Sequence, residues 1–146
     1  MSNDDKTRMI VKVKAQAPAT LVLQWSDGTR VKLDLREFLK DKAYRSLRNP
    51  ALFVRAHVGE WGHSVEWPSS VDLSAESLWL ETLSVTGHQD AREFLEWHLR
   101  HGLSLSKTAE ALGLSRRMVA YYSNGEKHVP RPILLACKGW EVSHAA

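Results

Sequence analysis

The stretch that most constrains the fold is LGLSRRMVAYYSNGE, from Leu112 to Glu126. Gly113 closes an apolar helical pattern, and Ser115 is a residue type that commonly caps the N-terminus of a helix. The run stops at Asn124-Gly125, where glycine can take the left-handed conformation that ends helices. The stretch therefore predicts a turn, then a short helix that begins after Ser115 and ends at Asn124-Gly125.

The segment just before it, SLSKTAEAL, predicts a preceding short helix that Ser104 caps. Ala109 must be small because the second helix is expected to cross close over it. Gly113 lies four residues later, where a turn between crossing helices requires a residue free to take positive φ. The inward positions of this first helix are predicted to be Leu105, Thr108, Ala109 and Leu112.

The second helix is expected to have an inner and an outer face. Val119 and Tyr122 are three residues apart, which places both on the inner face. The other positions should point outward: Ser115, Arg116, Arg117, Ala120, Tyr121 and Asn124. Arg116 and Arg117 would otherwise be ordinary solubilising charges, and Tyr121 could equally pack against Met118.

A third helix is expected further upstream. Asp90-x-x-Glu93 has the form of a capping box with Asp90 at the N-cap, and the apolar period continues through Leu95 and Leu99 to Gly102. Trp97 is expected in the core.

The net positive charge is concentrated in this half. Residues 1–87 carry 12 basic and 11 acidic side chains, whereas residues 100–138 carry seven basic and only two acidic ones. A local positive excess attracts polyanions, although a solvated basic face is the simpler explanation of such a run.

The spacing of Ala109, Gly113, Val119 and Tyr122 resembles the helix-turn-helix of lambda/Xre-type phage repressors. The similarity continues through YSNGEKHVPRPILLACKGW, which resembles the entry loop and last helix of those repressors, and it covers roughly residues 90–140. The sequence departs from the usual pattern at Leu105, where many relatives have glutamine. A second departure is Ser123, where glutamate is frequent.

The resemblance implies a recognition helix in the major groove of double-stranded DNA and, usually, a homodimer on paired half-sites. It implies base contacts from Ser115, Arg116, Arg117 and Tyr121. It implies contacts with DNA phosphates or the minor groove from Ser104, Ser106, Lys107, Lys127 and Arg131. His128 would also lie along the DNA backbone.

The first half of the chain has a period of two instead. Met9, Val11, Val13 and Ala15 alternate with polar residues, as do Leu21, Leu23 and Trp25, then Val31, Leu33 and Leu35, which predicts three strands. The segment REFLKDKAYRSL suggests a short helix with Phe38, Leu39 and Leu47 inward. A hairpin is expected from Phe53–Val58 and His63–Trp67, followed by a helix from Ala75 to Leu80 that Ser74 caps.

This half resembles a bacterial domain of unknown function, number 2442. The matching marks are Ser26-Asp27-Gly28, the Val31–Leu35 segment, Phe53, and Trp67-Pro68 followed by Asp72-Leu73. Members often stand beside a small toxin-like gene, so the resemblance implies an antitoxin-like or autoregulatory role with a small toxin-like partner. Each mark also has a structural explanation: Asp27-Gly28 is a turn, Asp34 caps the segment at Arg36, and Trp67 belongs to the core.

Enzymatic function is not expected, and neither a catalytic residue, a metal nor a cofactor is assigned. Nucleotide-binding and nucleophile-elbow motifs are absent from the sequence, and Cys137 lies among apolar residues as a buried thiol. A metal site at His57, His63 and Glu66 is the least favoured alternative, since no established ligand spacing supports it. Trp61, between two glycines, is the aromatic residue best placed for a protein contact.

The predicted fold class is α+β, with a small antiparallel-sheet domain and short helices at residues 9–82 and an all-α domain of four to five helices at residues 88–141. LSVTGHQ, residues 83–89, is the expected boundary. The start, MSNDDKTR, lacks an apolar signal segment, no membrane span is present, and a bacterial cytoplasmic protein is expected. The predicted function is a sequence-specific DNA-binding transcriptional regulator, such as an antitoxin or autorepressor, whose N-terminal domain binds a partner or a ligand. The alternative is an adaptor that neutralises a small protein without binding DNA.

Overall fold

The computed structural model describes residues 8–145, so most of the MSNDDKTR segment lies outside the described residues. The chain divides into two compact units between Val85 and Thr86. The first contains two antiparallel three-stranded sheets, and the second contains helices, so the fold class is mixed α+β. None of the helices within the described range is long and apolar enough to cross a membrane.

The first sheet is a meander of β1 (Ile10–Gln16), β2 (Thr20–Trp25) and β3 (Arg30–Asp34). The predicted alternation of β2 and β3 is confirmed, and the side chains buried on its inner face are Leu21, Leu23, Trp25, Val31 and Leu33. The Asp27-Gly28 turn is also confirmed, because the Asp27 carboxylate accepts the Thr29 N–H at 2.9 Å.

The predicted pattern of β1 is wrong at its start. Ile10 is buried, whereas Met9 and Val11, expected to share a face with Ala15, are exposed. The reason is a register shift between Ile10 and Lys12. A bulge inserts an extra residue, so the side chains before it point to the opposite face from that expected.

Two 3-10 segments and a one-turn helix follow β3. The segments span Phe38–Lys40 and Lys42–Arg48, and α1 spans Pro50–Phe53. Leu39 and Leu47 are buried as predicted, but Phe38 is only half-buried. Phe53 was expected to begin a strand and instead ends α1, because Asn49 caps the turn and Pro50 fits its first position.

The second sheet consists of three short strands, β4 (His57–Val58), β5 (Ser64–Glu66) and β6 (Asp72–Ser74). The predicted hairpin is therefore present but shorter, and β6 was not expected. Helix α2 (Ala75–Val85) is longer than predicted and runs into the expected boundary segment. Its predicted cap is confirmed, since Ser74 Oγ accepts the Ser77 N–H at 3.1 Å.

The core of the first unit is built around tryptophans. Trp25 donates to Thr82 Oγ1 at 3.1 Å and meets Trp79 edge-on at 5.0 Å, which joins the first sheet to α2. Trp67, buried as predicted, donates to the Phe53 carbonyl at 2.8 Å and stacks on the Phe53 ring. Both indole N–H groups are therefore satisfied where they are buried, as buried polar groups require.

Between Thr86 and residue 145, the second unit has four helices: α3 (Gln89–Arg100), α4 (Leu105–Leu112), α5 (Arg116–Ser123) and α6 (Arg131–Ser143). Their apolar faces meet in one core, whose buried members are Phe94, Trp97, Ala109, Val119, Tyr122, Val129 and Cys137. Trp97 is 2% exposed, which confirms its predicted place.

Candidate nucleic-acid interface

The α4 and α5 pair is held by two serine caps and one left-handed turn, as predicted. Ser104 Oγ accepts the Lys107 N–H at 3.0 Å, and Ser115 Oγ accepts the Met118 N–H at 3.1 Å. Between them, Gly113 has φ +69°, and the Leu114 N–H bonds back to the Ala109 carbonyl at 2.8 Å. Each cap satisfies an N–H that a helix start leaves without a partner, so the start of each helix is fixed by a local contact.

The inner face of α5 packs as expected, with one correction. Val119 and Tyr122 are buried, and the Tyr122 ring meets Phe94 of α3 edge-on at 5.6 Å. Ala120, predicted on the outer face, is only 8% exposed. The cause is that α5 packs against both α3 and α4, so its buried stripe is wider than a single row of side chains.

The first turn of α5 presents polar side chains to solvent. Ser115, Arg116 and Arg117 are all exposed. Backbone N–H groups at a helix start carry a partial positive charge, and two guanidinium groups add to it. The arrangement suits an anionic or acceptor-rich surface.

Tyr121 does not project alone from the outer face. Its ring is half-buried, and the Lys127 ammonium lies 4.8 Å from the ring centre, in cation–π contact. The Tyr121 carbonyl also accepts the N–H groups of Glu126 and Lys127. The structure therefore brings two of the predicted site residues, Tyr121 and Lys127, into contact at the end of α5.

The remaining predicted residues lie at helix starts. Ser104 caps α4, Ser106 and Lys107 are exposed in its first turn, and Arg131 is the exposed first residue of α6. His128 is exposed in the loop before α6.

Asp90 has a role that the sequence reasoning missed. It was predicted to cap α3, but α3 begins at Gln89, and the Asp90 carboxylate accepts the Val129 N–H at 2.7 Å. Burial raises the pKa of Asp90, yet hydrogen bonds from the N–H groups of Val129, Ala91 and Asp90 itself outweigh that effect and lower it. The carboxylate thus anchors the loop that carries Lys127. Since this contact spans 39 residues, no local sequence pattern could reveal it.

A second polar contact joins α3 to α4. His98 Nδ1 lies 2.7 Å from Thr108 Oγ1, and Thr108 is fully buried. Burial lowers the pKa of His98, which favours the neutral ring. The contact fixes the helix that precedes the turn.

The alternative metal site is not assembled. His57 Nε2 lies 3.8 Å from Glu66 Oε1, with both side chains partly exposed. Across residues 8–145, no three potential ligands are grouped so that they could hold a metal ion. Cys137 is buried as predicted, and burial, followed by the charges of Glu141 and Glu93, raises the pKa of its thiol to about 11. A thiol with that pKa is a poor nucleophile.

Comparison with known proteins covers both halves of the chain. Residues 10–82 match the family model described as "Protein of unknown function (DUF2442)". The whole chain is similar to the crystal structure of "Putative DNA Binding Protein NE0471" from Nitrosomonas europaea, with 36% sequence identity and a TM-score of 0.69. That similarity covers 96% of this chain and 90% of the other. No curated protein matches the chain.

The family match extends over the Ser26-Asp27-Gly28 turn, the Phe53 region and the Trp67-Pro68 to Asp72-Leu73 segment, on which the resemblance was based. The chain belongs to the DUF2442 family of proteins of unknown function.

Proposed function

We propose that the chain is a sequence-specific DNA-binding transcriptional regulator, in which residues 88–141 form a lambda/Xre-type helix-turn-helix domain. The observation that carries the proposal is the α4–α5 pair: two serine-capped helices, a left-handed Gly113, and a buried face that leaves Arg116 and Arg117 exposed at the start of α5. A helix presented in this way fits the major groove with its N-terminal residues at base edges.

The chemistry of base reading is assigned to four residues at α5. Arg116 and Arg117 can each donate two hydrogen bonds to O6 and N7 of guanine, and each good bidentate pair contributes about 1–3 kcal/mol of discrimination. Ser115 can bond to any base edge, since a hydroxyl both donates and accepts. Tyr121, whose ring the Lys127 ammonium contacts, would bring an aromatic ring and a hydroxyl to the same groove.

The phosphate contacts are assigned to exposed side chains at helix starts and in the loop. The first turn of α4 contributes Ser104, Ser106 and Lys107, where the partial positive charge of a helix start favours an anion. Lys127 and Arg131 flank the His128 loop, which Asp90 anchors through the Val129 N–H.

The name of the similar Nitrosomonas europaea protein, which describes it as DNA-binding, supports DNA as the partner. As repressor-like domains usually bind paired half-sites about 34 Å apart, the proposal includes a homodimer. It includes neither a catalytic activity nor a cofactor or metal, and it places the protein in the bacterial cytoplasm.

Selection of bound duplexes from a random library by the full-length chain tests the proposal. We expect a reproducible motif with two related half-sites, because each good base contact enriches its base severalfold or more. Binding without any enriched motif would contradict a sequence-specific regulator.

A second candidate is favoured by one observation. Trp61 is 75% exposed, and large aromatic side chains are common anchors of protein interfaces. The chain would then be an adaptor or antitoxin that neutralises a small toxin-like protein. Capture of such a partner by the wild type but not by Trp61→Ala, together with no retardation of DNA, would favour this candidate over the first.

A further inference from the structure

The outer face of the first sheet carries two cross-strand rows with cations at both ends. The strand register pairs Lys12 with Gln24 and Gln24 with Arg30. In the next row, Lys14 pairs with Val22 and Val22 with Lys32. We call Lys12, Lys14, Arg30 and Lys32 the basic sheet face.

The basic sheet face is open to solvent. All four side chains are exposed, whereas Val31, between Arg30 and Lys32, is buried and Val13, between the two lysines, is half-buried. Within residues 8–145, the structure gives none of the four an ion pair. The next cross-strand row of this face pairs Thr20 with Asp34, and the Asp34 carboxylate forms an ion pair with the Arg36 guanidinium at 2.6 Å.

The spacing of the basic sheet face suits a regular polyanion. Residues two apart on a strand are about 6.6–6.8 Å apart, and the outer strands of the meander are about 9.5 Å apart. The face therefore offers cations at two positions along each of two lines. Duplex DNA carries phosphates every 3.4 Å of axial rise on each strand, so its backbone supplies anions at a comparable density.

The other side chains of these rows help to identify the partner. They are Gln24 and Val22, and aromatic side chains, which stack on unpaired bases and anchor protein interfaces, are absent from both described rows. A face made of four cations, one amide and one aliphatic residue lacks the large apolar surface that membrane insertion requires. The composition thus favours the phosphate backbone of a duplex over single strands, proteins and lipids.

We propose that the basic sheet face is a second DNA contact, which binds the duplex backbone without reading sequence. The inference extends the proposed function from the helical unit to the DUF2442 unit and rests on it for the DNA partner. It gives the DUF2442 unit the role of increasing affinity and salt dependence, while α5 supplies base preference.

The test measures binding of the full-length chain to duplex DNA by fluorescence anisotropy over a series of salt concentrations. The variants are K12Q/R30Q and K14Q/K32Q, each of which removes one row. The control is K42Q/R45Q, which removes two exposed cations from the 3-10 segment of the same unit. Circular dichroism verifies that each variant is folded.

Each row variant should lower the slope of log K against log salt by up to about 1.8, since each lost phosphate contact contributes about 0.9. Binding should weaken severalfold and equally on selected and shuffled duplexes, while the control keeps the wild-type slope. If both row variants keep that slope, the inference is wrong, and the cations serve only to prevent pairing at the edge strands β1 and β3.

The two proposals fail in different ways. Unchanged row variants alongside a weakened R116A/R117A variant would overturn this inference and leave the proposed function standing. A reduced slope in the row variants, from a wild type that prefers no sequence, would overturn the proposed function and support the basic sheet face. Row variants that lose binding to phosphatidylserine vesicles or to polyglutamate but not to the duplex would overturn the inference in favour of another polyanion.

Discussion

At the scale of single residues, the loop before α6 is held by a carboxylate that the sequence assigns to a different role. Asp90 and Glu93 have the spacing of a capping box, yet Asp90 bonds to the Val129 N–H across 39 residues. Ser104 and Ser115 were placed correctly because the N–H groups they bind are three residues away. Local contacts leave a sequence signature, whereas a contact set by the packing of α3 against the α6 loop does not.

Replacing Asp90 with alanine should destabilise the protein by about 1–3 kcal/mol near pH 7, because the Val129 N–H loses a charged acceptor. The pKa of Asp90 is lowered in the folded state, so its contribution is present above the ordinary value of 3.8 and is lost as the pH falls through the lowered value. The difference in free energy of unfolding between the wild type and the variant should therefore decrease towards zero at acidic pH. Urea denaturation at several pH values measures it.

Glu93→Ala is the matched control, since Glu93 is an exposed carboxylate on the same helix. It should change stability by less than about 0.5 kcal/mol. Equal losses from the Asp90 and Glu93 variants would instead indicate the capping box that the sequence suggested.

At the scale of elements, the turn between α4 and α5 requires the left-handed backbone conformation of Gly113. The free energy that this conformation would cost another residue can be measured separately from steric clashes. A Cβ added at Gly113 or at Gly139 of α6 would meet nothing within 4 Å. Gly113 has φ +69°, however, whereas Gly139 lies inside a helix. Gly113→Ala should therefore destabilise the protein by about 1–2 kcal/mol, and Gly139→Ala should stabilise it by about 0.5–1 kcal/mol.

Thermal unfolding followed by circular dichroism compares the two variants. Opposite shifts of Tm are expected, downward for Gly113→Ala and upward for Gly139→Ala. A Gly113→Ala protein as stable as the wild type would mean that the turn does not require the left-handed conformation.

The elements themselves were predictable to different degrees. Helices α4 and α5 carry their own caps and turn, and β2 and β3 alternate without interruption, so both pairs follow from the sequence. The bulge in β1 breaks the alternation, and β6 has three residues, too few to show a period. Ala120 was misplaced because its burial depends on two neighbouring helices at once.

At the scale of the whole molecule, each of the two units carries an exposed basic surface. The helical unit exposes arginines at the start of α5, and the DUF2442 unit exposes the basic sheet face. The sequence predicted the first surface because its residues are consecutive. The second required the strand register, because its four residues are up to 20 positions apart and form a face only once the meander is paired.

The central claim is that α5 reads bases. Its most direct test compares the dissociation constants of R116A/R117A for the selected duplex and for a shuffled duplex with those of the wild type. The matched control is K42A/R45A, which removes the same charge from the other unit. We expect R116A/R117A to lose at least about tenfold in preference for the selected duplex, since each bidentate arginine contributes about 1–3 kcal/mol. The control should keep the wild-type preference. An R116A/R117A protein that still prefers the selected duplex by the wild-type ratio would contradict the assignment of α5 as the recognition helix.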